Sequence, residues 1–182
     1  MRRLSIVIVT AASALLLPAQ AEGQFSKTGT PAVAFTAAGP AGLKIEGKTS
    51  ELEVTEANAS VTVRVALAGI DTGIALRNKH MREKYLETDK YPYAELVVAR
   101  SSLQLPPEGG EATASFTAPM TIHGQTKPVT VKVQARRTGS TYDVRGTTRV
   151  NMNDFGIKVP SYLGVTVQPD VDVAVRFSIL DS

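Results

Sequence analysis

Period-two alternation of apolar and polar side chains, repeated along most of the chain, constrains the fold more than any other feature. Val61, Val63, Val65 and Leu67 alternate with Thr62, Arg64 and Ala66. Val129, Val131, Val133 and Ala135 alternate with Thr130, Lys132 and Gln134. Near the end Val171, Val173, Val175, Phe177 and Ile179 alternate with Asp172, Ala174, Arg176 and Ser178. Successive strand side chains point to opposite faces, so each stretch has one apolar and one wetter face, as antiparallel sheets require.

Weaker alternations fill the intervals. Leu43 and Ile45 lead through Gly47 to Leu52 and Val54, predicting one strand bent or bulged at the glycine. Ala94, Leu96 and Val98 share a face, as do Ala112, Ala114, Phe116, Ala118, Met120 and Ile122. Tyr142, Val144, Gly146, Thr148, Val150 and Met152 do the same. Turn signals divide them at Pro106–Gly110, His123-Gly124-Gln125 and Thr138-Gly139-Ser140. With a strand around Val33–Thr36 the count is about eight, as in a closed meander barrel, with a two-sheet sandwich as the competing architecture. Glu22–Thr30 is small and polar and reads as a loose lead-in.

One segment breaks the pattern. From Ile74 to Leu86 the residues suit a short α-helix, with Asp71 or Thr72 as the capping oxygen and Pro92 barring continuation. Ile74, Met81 and Tyr85 fall on one face, with Arg77 alongside. A lone helix between hairpins of an all-β chain fits a lid over a barrel.

Met1-Arg2-Arg3, the apolar run Leu4–Leu17, Pro18 and then Ala19-Gln20-Ala21 together predict a secretory signal peptide over residues 1–21. Residues 22–182 then form a single exported domain, expected in the periplasm. The chain has no cysteine, so its apolar core holds it together without disulfides. The formal charge of +3 includes Arg2 and Arg3, too little to argue for nucleic acid or for an anionic membrane surface. No second apolar run approaches membrane-spanning length. Nothing in the sequence sets the oligomeric state, a homodimer being among the options.

Alternation alone assigns the inward face: Val63, Val65, Leu96, Val98, Ala114, Phe116, Ala118, Met120, Val131, Val133, Val144, Val173, Val175 and Phe177. Many neighbours on it are small, including Ala112, Ala135, Gly146 and Thr148. An eight-stranded barrel is just wide enough to be filled by its own side chains or to hold one ligand. Small residues favour a space for a long apolar molecule, whereas large residues on facing strands would close it. Both readings stay open on the residues alone.

Chemistry has little footing. No nucleophile elbow, P-loop or dinucleotide fingerprint occurs, and no HExxH pattern joins His80 and His123. Those histidines read as a helix residue and a turn residue. Glu51/Glu53 and Asp170/Asp172 lie two apart on strands and share a solvent face. No catalytic residue, metal site or cofactor is expected.

The blocks Ile70-Asp71-Thr72-Gly73, Arg77-Asn78-Lys79-His80-Met81-Arg82, Tyr85-Leu86 and Tyr91-Pro92 closely resemble the YceI-like domain family. Met120–Val129 looks like that family's hairpin, and Asp154-Phe155-Gly156-Ile157 with Pro160-Ser161 resembles its late strand and loop. The resemblance implies a lipocalin-like, eight-stranded antiparallel barrel with one inserted helix. It also implies that the interior holds a polyisoprenoid or quinone-like lipid, without catalysis. The competing expectation is a structural or stress-response protein with a packed barrel, in which Tyr162-Leu163 would meet a protein partner.

Overall fold

The computed structural model describes residues 24–162 and 164–182. The expected signal peptide and Leu163 lie outside these residues, and the side chain of Tyr162 is likewise not described. Nine strands join in one antiparallel sheet: β1 (Phe25–Ala38), β2 (Lys44–Thr49), β3 (Leu52–Ala57), β4 (Ser60–Ala66), β5 (Tyr93–Ala99), β6 (Glu111–Ile122), β7 (Gln125–Thr138), β8 (Thr141–Asn151) and β11 (Asp170–Asp181). A two-stranded hairpin, β9 (Ser161–Tyr162) with β10 (Val165–Thr166), precedes the last of them.

The hydrogen-bonded order is β2-β1-β11-β8-β7-β6-β5-β4-β3. Its two ends, β2 and β3, are consecutive in the chain and separated only by Ser50 and Glu51. One path therefore borders β1 on one side and, past a corner, β4 on the other. The sheet curls round into a nearly closed barrel, which excludes the sandwich.

The corner explains why the strands number nine rather than eight. The alternation from Leu43 to Val54, expected as a single bent strand, breaks at Ser50-Glu51. There Glu51 N–H donates to Thr49 Oγ1 (3.0 Å) and Ala66 N–H to the Glu51 carbonyl (3.0 Å). Gly47 serves another purpose than a bend. It faces Phe35 across the β1–β2 ladder, and a Cβ there would lie 2.3 Å from the Phe35 ring. The glycine makes room for the aromatic side chain.

From Phe25 onward the expected lead-in is part of strand β1. Phe25 is buried, and residues from Phe25 to Thr28 pair with Asp181 to Ser178 of β11 before a register shift. One buried aromatic and a ladder of main-chain bonds outweigh the polar character of the neighbours. Where β1 meets β3 without a ladder, side chains tie the seam. Buried Glu56 accepts from the Phe25 N–H (2.9 Å) and from Arg100 Nη1 (2.5 Å), while Arg100 Nη2 donates to Asp181 (2.8 Å). The Arg100 guanidinium also lies 4.1 Å above the Phe25 ring.

The inserted helix, α1 (Ala75–His80), continues as a π-helical turn, Met81–Tyr85. Its N-cap is Ile74, without a side-chain cap, and not Asp71 or Thr72. Gly73, at a φ of 76°, sets those two residues too far back. They bond instead to Asn78: its Oδ1 accepts from Thr72 N–H (2.8 Å) and Oγ1–H (2.6 Å), and its Nδ2 donates to Asp71 (2.7 Å). Asp71 and Lys48 exchange main-chain bonds (2.9 Å each), fastening this knot to β2. Met152, expected at the end of a strand, instead opens a 3-10 turn, Met152–Phe155, ended by left-handed Gly156.

Apolar packing gathers at the two ends of the barrel. One cluster holds Phe25, Leu52, Val61, Tyr142, Phe177 and Ile179. The other holds Ile122, Val129, Val150, Met152, Phe155, Ile157 and Val167, with Tyr85 and Leu86 of the helical segment against it.

Candidate functional site

Between these clusters runs a chamber of about 840 Å³, lined almost wholly by apolar side chains. Its size lies in the usual range of small-molecule sites, about 300–1,000 Å³. The wall is thin at the expected places: Ala112, Ala114, Ala135, Gly146 and Thr148 all face the space. At Gly146 an added Cβ would meet the Val175 side chain at 2.9 Å, so even one more carbon there forces the wall to shift.

Thirteen of the residues read from alternation line this chamber: Val63, Val65, Leu96, Val98, Ala114, Phe116, Met120, Val131, Val133, Val144, Val173, Val175 and Phe177. Ala118 does not. It lies buried on the same strand face between Phe116 and Met120 and pairs with buried Val129, so a short side chain there is covered by larger neighbours. Alternation gives the side of the sheet but not which small side chains on it are covered by larger neighbours.

The lining read from alternation left out the mouth. Leu43, Ile74, Leu76 and Val165 line the chamber and are also exposed, Leu76 by 57%. Arg77, His80, Met81, Lys84 and Tyr85 stand on the same lining. Their spacing of three, four, seven and eight residues from Arg77 places them along one stripe of the helical segment. That spacing is visible in the sequence, but without the barrel there is no telling that the stripe faces inward. A second contribution comes from Leu103, Gln104 and Leu105, in the connection after β5. There β5 and β6 share only the pairs Glu95–Thr121 and Leu96–Met120, and these loop residues complete the lining.

His123 has a structural setting. With Gly124 it forms the two-residue turn of the β6–β7 hairpin, both at positive φ (51° and 71°). Its Nε2 lies 2.7 Å from Glu87 Oε2, its Nδ1 3.3 Å from the Phe155 carbonyl, and the Tyr91 ring packs at 4.5 Å between centroids. His80 sits on the chamber lining instead. Among the described residues no group of three or more His, Cys, Asp or Glu side chains is placed to hold a metal ion. No helix among them is long and apolar enough to cross a membrane.

A nearly closed antiparallel barrel, lidded by one helix around an elongated apolar chamber, defines a lipocalin-like architecture. The sequence model of the YceI-like domain matches residues 12–179, and the chain belongs to that family. It is 32% identical over 120 residues to a UPF0312 protein of Pseudomonas savastanoi pv. phaseolicola, covering 62% of this chain and 60% of that one. A UPF0312 protein of Pseudomonas putida strain W619 is 33% identical over 122 residues, covering 63% and 61%. The chain thus spans about 60% of the length of these curated relatives. Among solved structures, it resembles a polyisoprenoid binding domain from Saccharophagus degradans implicated in plant cell wall breakdown. The TM-score is 0.71 at 16% identity, over 87% of this chain and 98% of that one. BcnA of Burkholderia cenocepacia superposes with a TM-score of 0.64 at 21% identity, over 81% and 95%. At these identities the likeness is one of fold.

Proposed function

We propose that this protein is a non-catalytic carrier or binding protein for a long-chain amphiphile, a polyisoprenoid or quinone-like lipid, acting in the periplasm after export. The observation that carries this reading is the chamber itself: about 840 Å³, apolar along its walls and open beside the helix. A long tail is poorly soluble in water, and burial returns about 0.8 kcal/mol per methylene. Ten such groups give about 8 kcal/mol, the scale of a micromolar complex before ordering costs are subtracted. The polyisoprenoid binding domain of similar fold supports the same ligand class. The N-terminal sequence, with its basic start, apolar run and Ala-Gln-Ala, supports export.

Native mass spectrometry of the protein purified from a bacterial periplasm tests both parts. The expected spectrum shows a chain lacking its first residues and an added mass that organic extraction identifies as a lipid. A chain that never carries a lipid, and takes up none when offered prenyl lipids in vitro, overturns the carrier reading.

A further inference from the structure

Among the described residues eight large hydrophobic side chains are exposed, and four of them gather at one place. Leu43, Ile74, Leu76 and Val165, each exposed by 40–57%, stand where the chamber opens beside the helix. They come from three separate parts of the chain: the connection between β1 and β2, the start of α1, and the β9–β10 hairpin. Main-chain bonds hold these parts together. Gln168 N–H, just after the hairpin, donates to the Ala38 carbonyl at the end of β1 (2.7 Å), and the Lys48–Asp71 pair fastens the helical segment to β2. Single exposed hydrophobic residues are ordinary, whereas a set drawn from distant segments around one opening marks a surface that another body covers.

The charge beside this rim indicates what that body is. Segment 74–86 carries Arg77, Lys79, Arg82 and Lys84 against Glu83 alone. Among the described residues none of these five takes part in an ion pair. The acids flanking the segment are turned to other partners, Asp71 to Asn78 and Gly73, and Glu87 to His123. The small net charge of the whole chain averages out this local excess. A phospholipid surface matches both features in one body, because its acyl layer lies directly beneath its anionic phosphates. We propose that the rim of Leu43, Ile74, Leu76 and Val165 docks on an anionic phospholipid bilayer, with the cations of the helical segment against the phosphates. The docking goes beyond the carrier reading and does not depend on what the chamber holds.

Co-sedimentation with vesicles tests it without any prenyl lipid. One set is phosphatidylcholine alone, and the other is phosphatidylcholine mixed with phosphatidylglycerol. The protein is expected to partition onto the mixed vesicles at least about tenfold more strongly, with the preference shrinking as salt is added. Leu76→Ser and Val165→Ser should each lower partitioning several-fold, and Lys79→Gln, off the lining, should reduce the preference for the mixed vesicles. Leu180→Ser alters an exposed leucine beside the opposite end of the barrel, paired with Thr141, and should change neither. Ala114→Leu narrows the chamber but leaves the rim intact, and it should still reach the pellet. Absence of the protein from both pellets overturns the docking, as does a Leu180→Ser effect as large as that of Leu76→Ser. Equal partition onto the two vesicles overturns the anionic assignment. Loss of sedimentation in Ala114→Leu would mean that vesicle lipid was entering as cargo, which also overturns the docking. Analytical ultracentrifugation without vesicles covers the other occupant: a dimer that Leu76→Ser dissociates would give the rim to a second copy and overturn the bilayer assignment. Failure to take up prenyl lipids while docking persists would bring down the carrier reading alone.

Discussion

His123 and Glu87 meet at 2.7 Å across the lid end of the barrel, joining the tip of the β6–β7 hairpin to the segment that follows the helix. Neither residue faces the chamber, yet together they fix where the lid stands. Replacing His123 by Ala removes this bond and the contact with the Phe155 carbonyl. Hydrogen bonds to charged groups contribute about 1.5–3 kcal/mol, and Glu87 is half-exposed, so a loss of about 1–2 kcal/mol is expected. For a domain of this size that lowers Tm by roughly 3–6 °C. A double-mutant cycle with Glu87→Gln should be clearly non-additive; strict additivity would mean that the two residues do not act as a pair.

The seam between β1 and β3 depends on Arg100. Its Arg100→Met variant leaves Glu56 buried without its cation, which costs about 3 kcal/mol. Thermal melting should fall by roughly 6–12 °C. A change of only a degree or two would show that the seam closes without this ion pair.

Filling the chamber separates packing from cargo. Ala114 lines the space on β6, opposite Val133. Ala114→Leu is expected to keep or slightly raise Tm, because the added carbons enter open volume, while lipid uptake falls several-fold. A destabilisation of about 1–3 kcal/mol, the ordinary cost of overpacking, would show the site to be already full.

Gly47→Ala makes the opposite case. The new methyl would collide with the Phe35 ring, which itself lines the chamber. The expected cost is about 1–3 kcal/mol in urea unfolding. An unchanged midpoint would mean that Phe35 has another resting place.

Acid should loosen the start of the lid. The Asn78 amide and the Gly73 N–H hold the Asp71 carboxyl below its ordinary value of 3.8. A group depressed in the folded state stabilises above its unfolded pKa, and that contribution disappears as pH falls through the folded one. The Asn78 side-chain amide resonances should therefore move as the pH drops below about 4, and Asp71→Asn should show the loosened pattern already at neutral pH. Resonances that stay fixed through the acid range would separate Asp71 from the anchoring of the helix.

Alternation was enough to find the sheets, because each strand buries one face. It placed residues such as Val63, Phe116 and Val175 on the inner side correctly. It gave no measure of how neighbours cover a short side chain, and so put Ala118 on the open lining although it is buried between Phe116 and Met120. Partners distant in sequence were equally out of reach: Glu56, Arg100 and Asp181 carry no local pattern that announces their meeting. The helix was legible by composition, but its anchoring was not. Asn78 reaches backward to Asp71 and Thr72 from inside the helix, whereas capping rules look for the oxygen ahead of it. Arg77, His80 and Lys84 share a stripe that the sequence displays, yet only the closed sheet gives that stripe a direction.

The separation of the two packed clusters has a consequence for how the molecule opens. Each end is a contiguous block of buried side chains, and the strands that run between them pass beside open volume in the middle. Local unfolding follows such blocks. Amides at the Phe25–Tyr142 end and at the Met152–Phe155 end should exchange with solvent as two distinct groups. A guest spanning the interior would bridge them, merging their opening into one cooperative event.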